Sequence, residues 1–153
     1  MGKINVEAAP VRVGSGYPSP FDEPCRQRER WRLGDAAGLS QFGVNLMRLP
    51  PGNWSSQRHW HALEDEFVWV LEGEVVLVTD EGETTLRPGE CAGFPAGAPN
   101  GHQLQNRSDR DAVVLEVGSR RPSEEVCDYP DIDLVLKPEV GFCHRDGRPY
   151  KPK

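Results

Sequence analysis

The chain has 153 residues, a usual length for one domain, with 27% charged and 37% hydrophobic residues, the balance of a water-soluble globular fold. A formal net charge of -6 repels phosphate backbones, which excludes nucleic acid as an expected partner. No apolar run approaches the roughly 18 residues that span a bilayer, so no membrane partner is expected.

In chain order, the opening Met1-Gly2-Lys3-Ile4-Asn5 has no apolar leader, and Val6 stands where a myristoylation signal needs Ser or Thr. The expectation is a cytoplasmic protein. Residues 1–40 read as an N-terminal extended arm, interrupted by Pro10, Pro18, Pro20 and Pro24. Arg26, Arg28, Arg30 and Arg32 alternate with Gln27, Glu29 and Trp31, a period that suits a strand edge. Surface salt bridges are the favoured reading of Arg26, Arg28 and Arg32; contact with an acidic substrate is the alternative.

Residues 41–118 are dense in strand signals and read as a barrel. Phe42 to Leu49 alternates and stops at Pro50-Pro51-Gly52. Glu66 to Leu71 is aromatic and β-branched, and Glu72-Gly73 turns it. Val75 to Thr79 follows, then a hairpin signal at Asp80-Glu81-Gly82-Glu83 and a turn at Arg87-Pro88-Gly89-Glu90. Val113 to Val117 closes the set. Close strand spacing and no clean helical period predict an all-β barrel or sandwich.

Residues 119–153 read as a C-terminal extension packed on the barrel. Asp128-Tyr129-Pro130-Asp131 is a turn, Ile132, Leu134 and Leu136 suggest one more strand, and Arg145 to Lys153 is a solvated basic end. Cys25, Cys91, Cys127 and Cys143 form no C-x-x-C pair and are expected to remain reduced, ordinary thiols.

Three of the four histidines fall in two short blocks. His59 and His61 are two apart, so a strand presents both imidazoles on one face. Glu66 shares a face with Val68 and Val70. Pointing into an apolar interior, a lone carboxylate is costly to ionise, and a metal ion removes that cost. His102 shares a face with Leu104 and Asn106 and can bring a third imidazole from a neighbouring strand.

These blocks resemble the two motifs of the cupins. Gly52, His59, His61, Glu66 and Gly73 follow the first, with one extra residue after the first glycine. Gly89, Pro95, Gly97, His102 and Asn106 follow the second, with the longer loop Ala98-Pro99-Asn100-Gly101 before the histidine. The resemblance implies a cupin double-stranded β-helix (jelly-roll) barrel with His59, His61, Glu66 and His102 as ligands of one divalent transition metal ion, with Zn, Mn, Fe, Ni and Cu all compatible. It also implies a homodimer with the arm lying on the partner's sheet. RHWHALEDEFVWVLEGE, FPAG, NRSDRDAVVLEVGSR, YPDIDL and HRDGRPY further resemble a bacterial subgroup of small cupins likened to sugar-phosphate isomerases and oxalate-binding cupins.

Two functions follow from that resemblance. One is a metal-dependent enzyme (isomerase, decarboxylase or dioxygenase) acting on a small sugar, sugar phosphate or carboxylate. The other is a metal-dependent protein that binds such a molecule without turnover. A second acid or base facing the metal favours the first, and apolar walls favour the second; no catalytic residue is assigned. Glu64 and Asp65 are read as solvated turn residues and Glu116 as an exposed edge. Trp60 is read as packing outside the barrel, Phe67, Trp69 and Leu71 as packing or dimer contacts, and His144 as structural or solvent-facing.

Overall fold

The computed structural model describes residues 2–151; Met1, on which the myristoylation reading partly rests, and Pro152 and Lys153 of the basic end lie outside the described residues. Alternation sets the faces of the strands. β1 (Val11–Val13), β2 (Glu29–Arg32) and β3 (Phe42–Leu49) come first, then the short β4 (Trp60–His61) and β5 (Glu66–Glu72). β5 buries Val68 and Val70 and exposes Phe67, Trp69 and Leu71, as a period of two requires. β6 (Val75–Thr79), β7 (Gly82–Leu86), β8 (Cys91–Phe94), β9 (Gln103–Gln105) and β10 (Ala112–Ser119) complete the central stretch. β11 (Cys127–Tyr129), β12 (Leu134–Lys137) and β13 (Gly141–Cys143) follow it.

All strand pairs are antiparallel. One sheet has the order β1-β2-β3-β10-β5-β8, a second β13-β12-β11-β4 and a third β7-β6-β9. This is the all-β jelly-roll barrel expected from the sequence. The extended arm adds β1 and β2 to the edge of β3, with Trp31 opposite Leu46. A single helical turn, Leu33–Ala36, joins β2 to β3.

Two apolar clusters hold the barrel. Met47, Leu49, Val70 and Val114 are fully buried in the first. Truncating one of these large side chains to Ala costs about 2–5 kcal/mol through lost transfer energy and the cavity left behind. The second cluster joins the arm to the extension: Tyr17 and Cys25 pack on Cys127, Tyr129 and Leu134. The turn after β5 depends on Gly73, whose φ is +70°; a Cβ there would lie 2.5 Å from the Asp111 carbonyl.

Candidate metal centre

The site lies where the two clusters meet. His102 stacks on Phe94 at 3.6 Å between ring centroids, and His59 lies 5.7 Å from the Tyr129 ring. His59 and His102 face each other across a bridge between their backbones: His59 N donates to His102 O at 3.1 Å and His102 N to His59 O at 2.8 Å. The longer loop before His102 is therefore anchored at its end. Arg58 holds it from outside, donating to Gly101 O at 3.2 Å and pairing with Asp80 and Asp131. His61 is placed by β4, which pairs with β11 so that His61 faces Cys127.

All four residues singled out by the sequence converge, and they do so on one atom. Glu66 Oε2 lies 2.6 Å from His102 Nε2, 3.3 Å from His59 Nε2 and 3.3 Å from His61 Nε2. The other ring nitrogens fix the tautomers of two histidines. His59 Nδ1 is 2.9 Å from the Gln57 carbonyl, which only accepts, so Nδ1 carries the proton. His61 Nδ1 is 3.3 Å from Glu125 Oε1, and that carboxylate also accepts from the amides of Ala62 and Leu63 at 2.8 Å each. Nε2 of His59 and Nε2 of His61 are thus the ring atoms turned toward the Glu66 carboxylate. Three imidazole nitrogens around one carboxylate oxygen draw positive charge between them, and this donor set fits a divalent cation.

Protons compete with a cation for the same atoms. Burial pushes the Glu66 carboxyl up, but hydrogen bonds from His102, His59 and His61 outweigh it and hold the group well below the usual carboxylate range. Burial also works to lower His61, yet its bond to Glu66 and the charges of Glu66, Glu125 and Glu64 raise it overall. For His102 burial wins, and its pKa is lowered.

Among the described residues, three groups have ligand atoms within 4.8 Å of one another: His59 with Glu66 and His102, His59 with His61 and Cys127, and His61 with Glu64 and Glu125. The four residues with motif spacing account for the first group and part of the others. Glu125 and Cys127 had no signal in the sequence, since both come from the extension and reach the site only through the β4–β11 pairing.

A cavity of about 300 Å³ opens in front of the histidines, lined also by Arg30, Glu64, Glu116 and Arg120. Glu116 corrects its sequence reading. β10 lies between β3 and β5, in the middle of its sheet, so Glu116 faces inward beside Val114. Arg30 holds both its oxygens at 2.7 Å. Arg28 is also not a surface ion pair: it is buried and donates to the carbonyls of Gly14 and Ser55. Arg26 and Arg32 do make surface pairs, with Glu23 and Asp35. Glu64 is a cavity wall rather than a solvated turn, only 18% exposed in its side chain. Trp60 is half-buried and lines a second, smaller pocket behind His61 and His102. Asn106 is buried away from the metal-facing nitrogens and ties the Leu49 and Arg110 carbonyls at 2.7 Å each. His144 is structural, bonded to Asp133 at 2.7 Å and stacked on Tyr150.

Antiparallel sheets closed around inward-facing histidines define the cupin class of barrel. The sequence profile of the cupin domain matches residues 45–118. The chain belongs to the cupin superfamily: a sugar phosphate isomerase of that superfamily from Silicibacter pomeroyi is 48% identical over 98% of this chain and 97% of its own, with a TM-score of 0.90. A protein from Acidithiobacillus ferrooxidans that carries the same designation provisionally is 30% identical, covering 83% of this chain and 82% of its own, with a TM-score of 0.72. A predicted oxalate decarboxylase from Thermotoga maritima, 20% identical over 78% of this chain and all of its own with a TM-score of 0.62, shares the fold. None of the curated proteins compared matches the chain.

Proposed function

We propose that this cupin is a metal-dependent enzyme that isomerises a small sugar phosphate, with His59, His61, Glu66 and His102 as ligands of one Zn, Mn, Fe or Ni ion. The observation that carries the reading is the convergence of three imidazole Nε2 atoms on Glu66 Oε2 at the wall of an open cavity. When bound, the ion supplies a Lewis acid that polarises a substrate oxygen. The chain's own residues do the rest. Glu116, with both oxygens engaged by Arg30, is fixed in place. Glu64 Oε1 accepts the Arg121 amide, which leaves Oε2, 4.0 Å from His61 Nδ1, as the oxygen that takes the proton from the hydroxyl-bearing carbon beside the carbonyl and returns it to the carbonyl carbon, while the hydroxyl proton passes to the former carbonyl oxygen. The charged walls favour an enzyme over a protein that only binds, and the likeness to the Silicibacter pomeroyi isomerase favours sugar phosphates over free sugars or carboxylates.

The test is elemental mass spectrometry of the untagged protein, followed by NMR of a panel of aldose and ketose phosphates. About one equivalent of metal and interconversion of one panel member, both lost in His61→Ala, is the expected result. No metal after reconstitution overturns the metal assignment. A metal-loaded protein that binds panel members without converting them leaves the non-catalytic reading in place.

The same reading keeps residues 41–118 as the barrel, with 1–40 and 119–153 as flanking segments that complete its walls. A homodimer is supported by an outward apolar row that crosses all six strands of the large sheet, Val11, Trp31, Leu46, Leu115, Trp69 and Cys91 in register. A second copy laid on this face would cover it. Four free thiols support a reducing compartment such as the cytoplasm.

A further inference from the structure

The inner face of the large sheet has a gap in its side chains. In register across three strands stand Glu66 on β5, Gly118 on β10 and Gly43 on β3. Two glycines side by side leave a bare trough that starts at the Glu66 carboxylate. A Cβ on Gly118 would lie 3.6 Å from Glu66 Cγ, and one on Gly43 would lie 3.1 Å from Arg120 Nε. The Arg120 guanidinium therefore lies over Gly43, at the far end. The trough spans two strand spacings, about 9–10 Å. It is the length of a small molecule with an oxygen donor at one end and an anionic group at the other.

Arg120 is the cation of this cavity with the most donors to spare. Arg30 is engaged with Glu116 and the Ser55 carbonyl through its Nε and Nη2, both oxygens of Glu116 holding it in place, and only its Nη1 has no hydrogen bond among the described residues. Arg120 gives one bond, Nη2 to Asp35 Oδ1 at 2.7 Å, and its Nε and Nη1 have no hydrogen bond among the described residues. Asp35 would not be stranded if Arg120 turned to a ligand, because Arg32 also pairs with it at 3.1 Å. The cavity's two guanidiniums face the three carboxylates of Glu64, Glu66 and Glu116. A divalent cation at the histidines turns that balance positive, so an anion is favoured once the ion is present.

We infer that Arg120 is the anion anchor of the substrate subsite, binding the phosphate or carboxylate of a molecule whose other end lies along the Gly118–Gly43 trough and reaches the histidines. This deepens the proposed function and rests on it for the metal end only. Arg120 acts by binding; no bond changes at it.

The test is calorimetric titration of the full-length, metal-reconstituted protein with a pentose phosphate, the corresponding pentonate and the parent pentose. The anionic compounds are expected to bind more tightly than the pentose. Arg120→Gln should weaken the anion by about tenfold or more, the loss of a charge-assisted hydrogen bond. Metal content and pentose affinity should not change, and Arg120→Lys should recover part of the loss. Preference for ester or pentonate tells which anion the subsite takes. Gly43→Ala, whose methyl meets the Arg120 guanidinium at the end of the trough, should weaken the anion likewise. Anion affinity in Arg120→Gln equal to wild type overturns the subsite. Wild-type protein without metal overturns the metal-dependent reading instead, and the effect of Arg120→Gln on the ester then decides the subsite by itself.

Discussion

Glu125 sits beneath His61, its Oε1 3.3 Å from the imidazole Nδ1. The carboxylate is buried and reaches the site from beyond the segment matched by the cupin domain profile. The amides of Ala62 and Leu63 hold it in place, so it cannot turn away from the ring. It keeps the proton on Nδ1 and leaves Nε2 free for a cation.

Glu125→Gln is therefore expected to weaken metal binding by about 10–100-fold, as is usual when the partner of a ligating histidine is altered. Competition with a chromogenic chelator reads the affinity directly. An affinity equal to wild type would remove Glu125 from the site.

His61→Ala should lose most of the metal and still unfold cooperatively. The core of Met47, Leu49, Val70 and Val114 contains none of the four proposed ligands. Circular dichroism and metal content measured on the same sample test this, and full metal occupancy in the variant would refute the ligand assignment.

The thiols should divide by burial. Cys91 is exposed, whereas Cys25, Cys127 and Cys143 are buried. Burial also pushes the Cys127 thiol far above its ordinary range, which keeps it from forming the reactive thiolate. Titration with a thiol reagent should modify Cys91 first, at once in a monomer and more slowly where a second copy covers it, and the others only after denaturant is added. Cys127 reacting as fast as Cys91 would contradict the packing of β11.

Asp131 is held below its ordinary carboxyl pKa by its hydrogen bond to Arg58. A carboxyl depressed on folding stabilises the protein above its unfolded pKa, and the contribution is lost as pH falls through the folded one. The Asp131 side chain is 55% exposed, so solvent screening limits the effect. Asp131→Asn should cost about 0.5–1 kcal/mol at neutral pH and nothing in strong acid. Urea unfolding at both pH values checks the sign, and a cost that persists in acid would mean another interaction is at work.

Trp69→Glu places a charge at the centre of the outward apolar row and should convert a dimer to monomer in light scattering. Trp69 is 44% exposed in the single chain, so the fold itself should tolerate the change. A wild-type protein that is already monomeric would exclude the dimer.

The sequence by itself determined the barrel and the four converging side chains. Alternation in Glu66 to Leu71 fixed which face turns inward, and the spacing of His59 and His61 put both rings on one side, because a strand has a period of two whatever it packs against. The same period could not tell whether a strand lies at an edge or in the middle. Glu116 looked like an edge residue until β10 was seen between β3 and β5. Arg28 looked like a surface residue until its carbonyl partners enclosed it. Glu125, Arg120 and the Gly118–Gly43 trough were decided by tertiary structure alone. Each depends on which strands distant in sequence become neighbours, and that is decided by long-range pairing and core packing, whereas local alternation settles only which face of each strand turns inward.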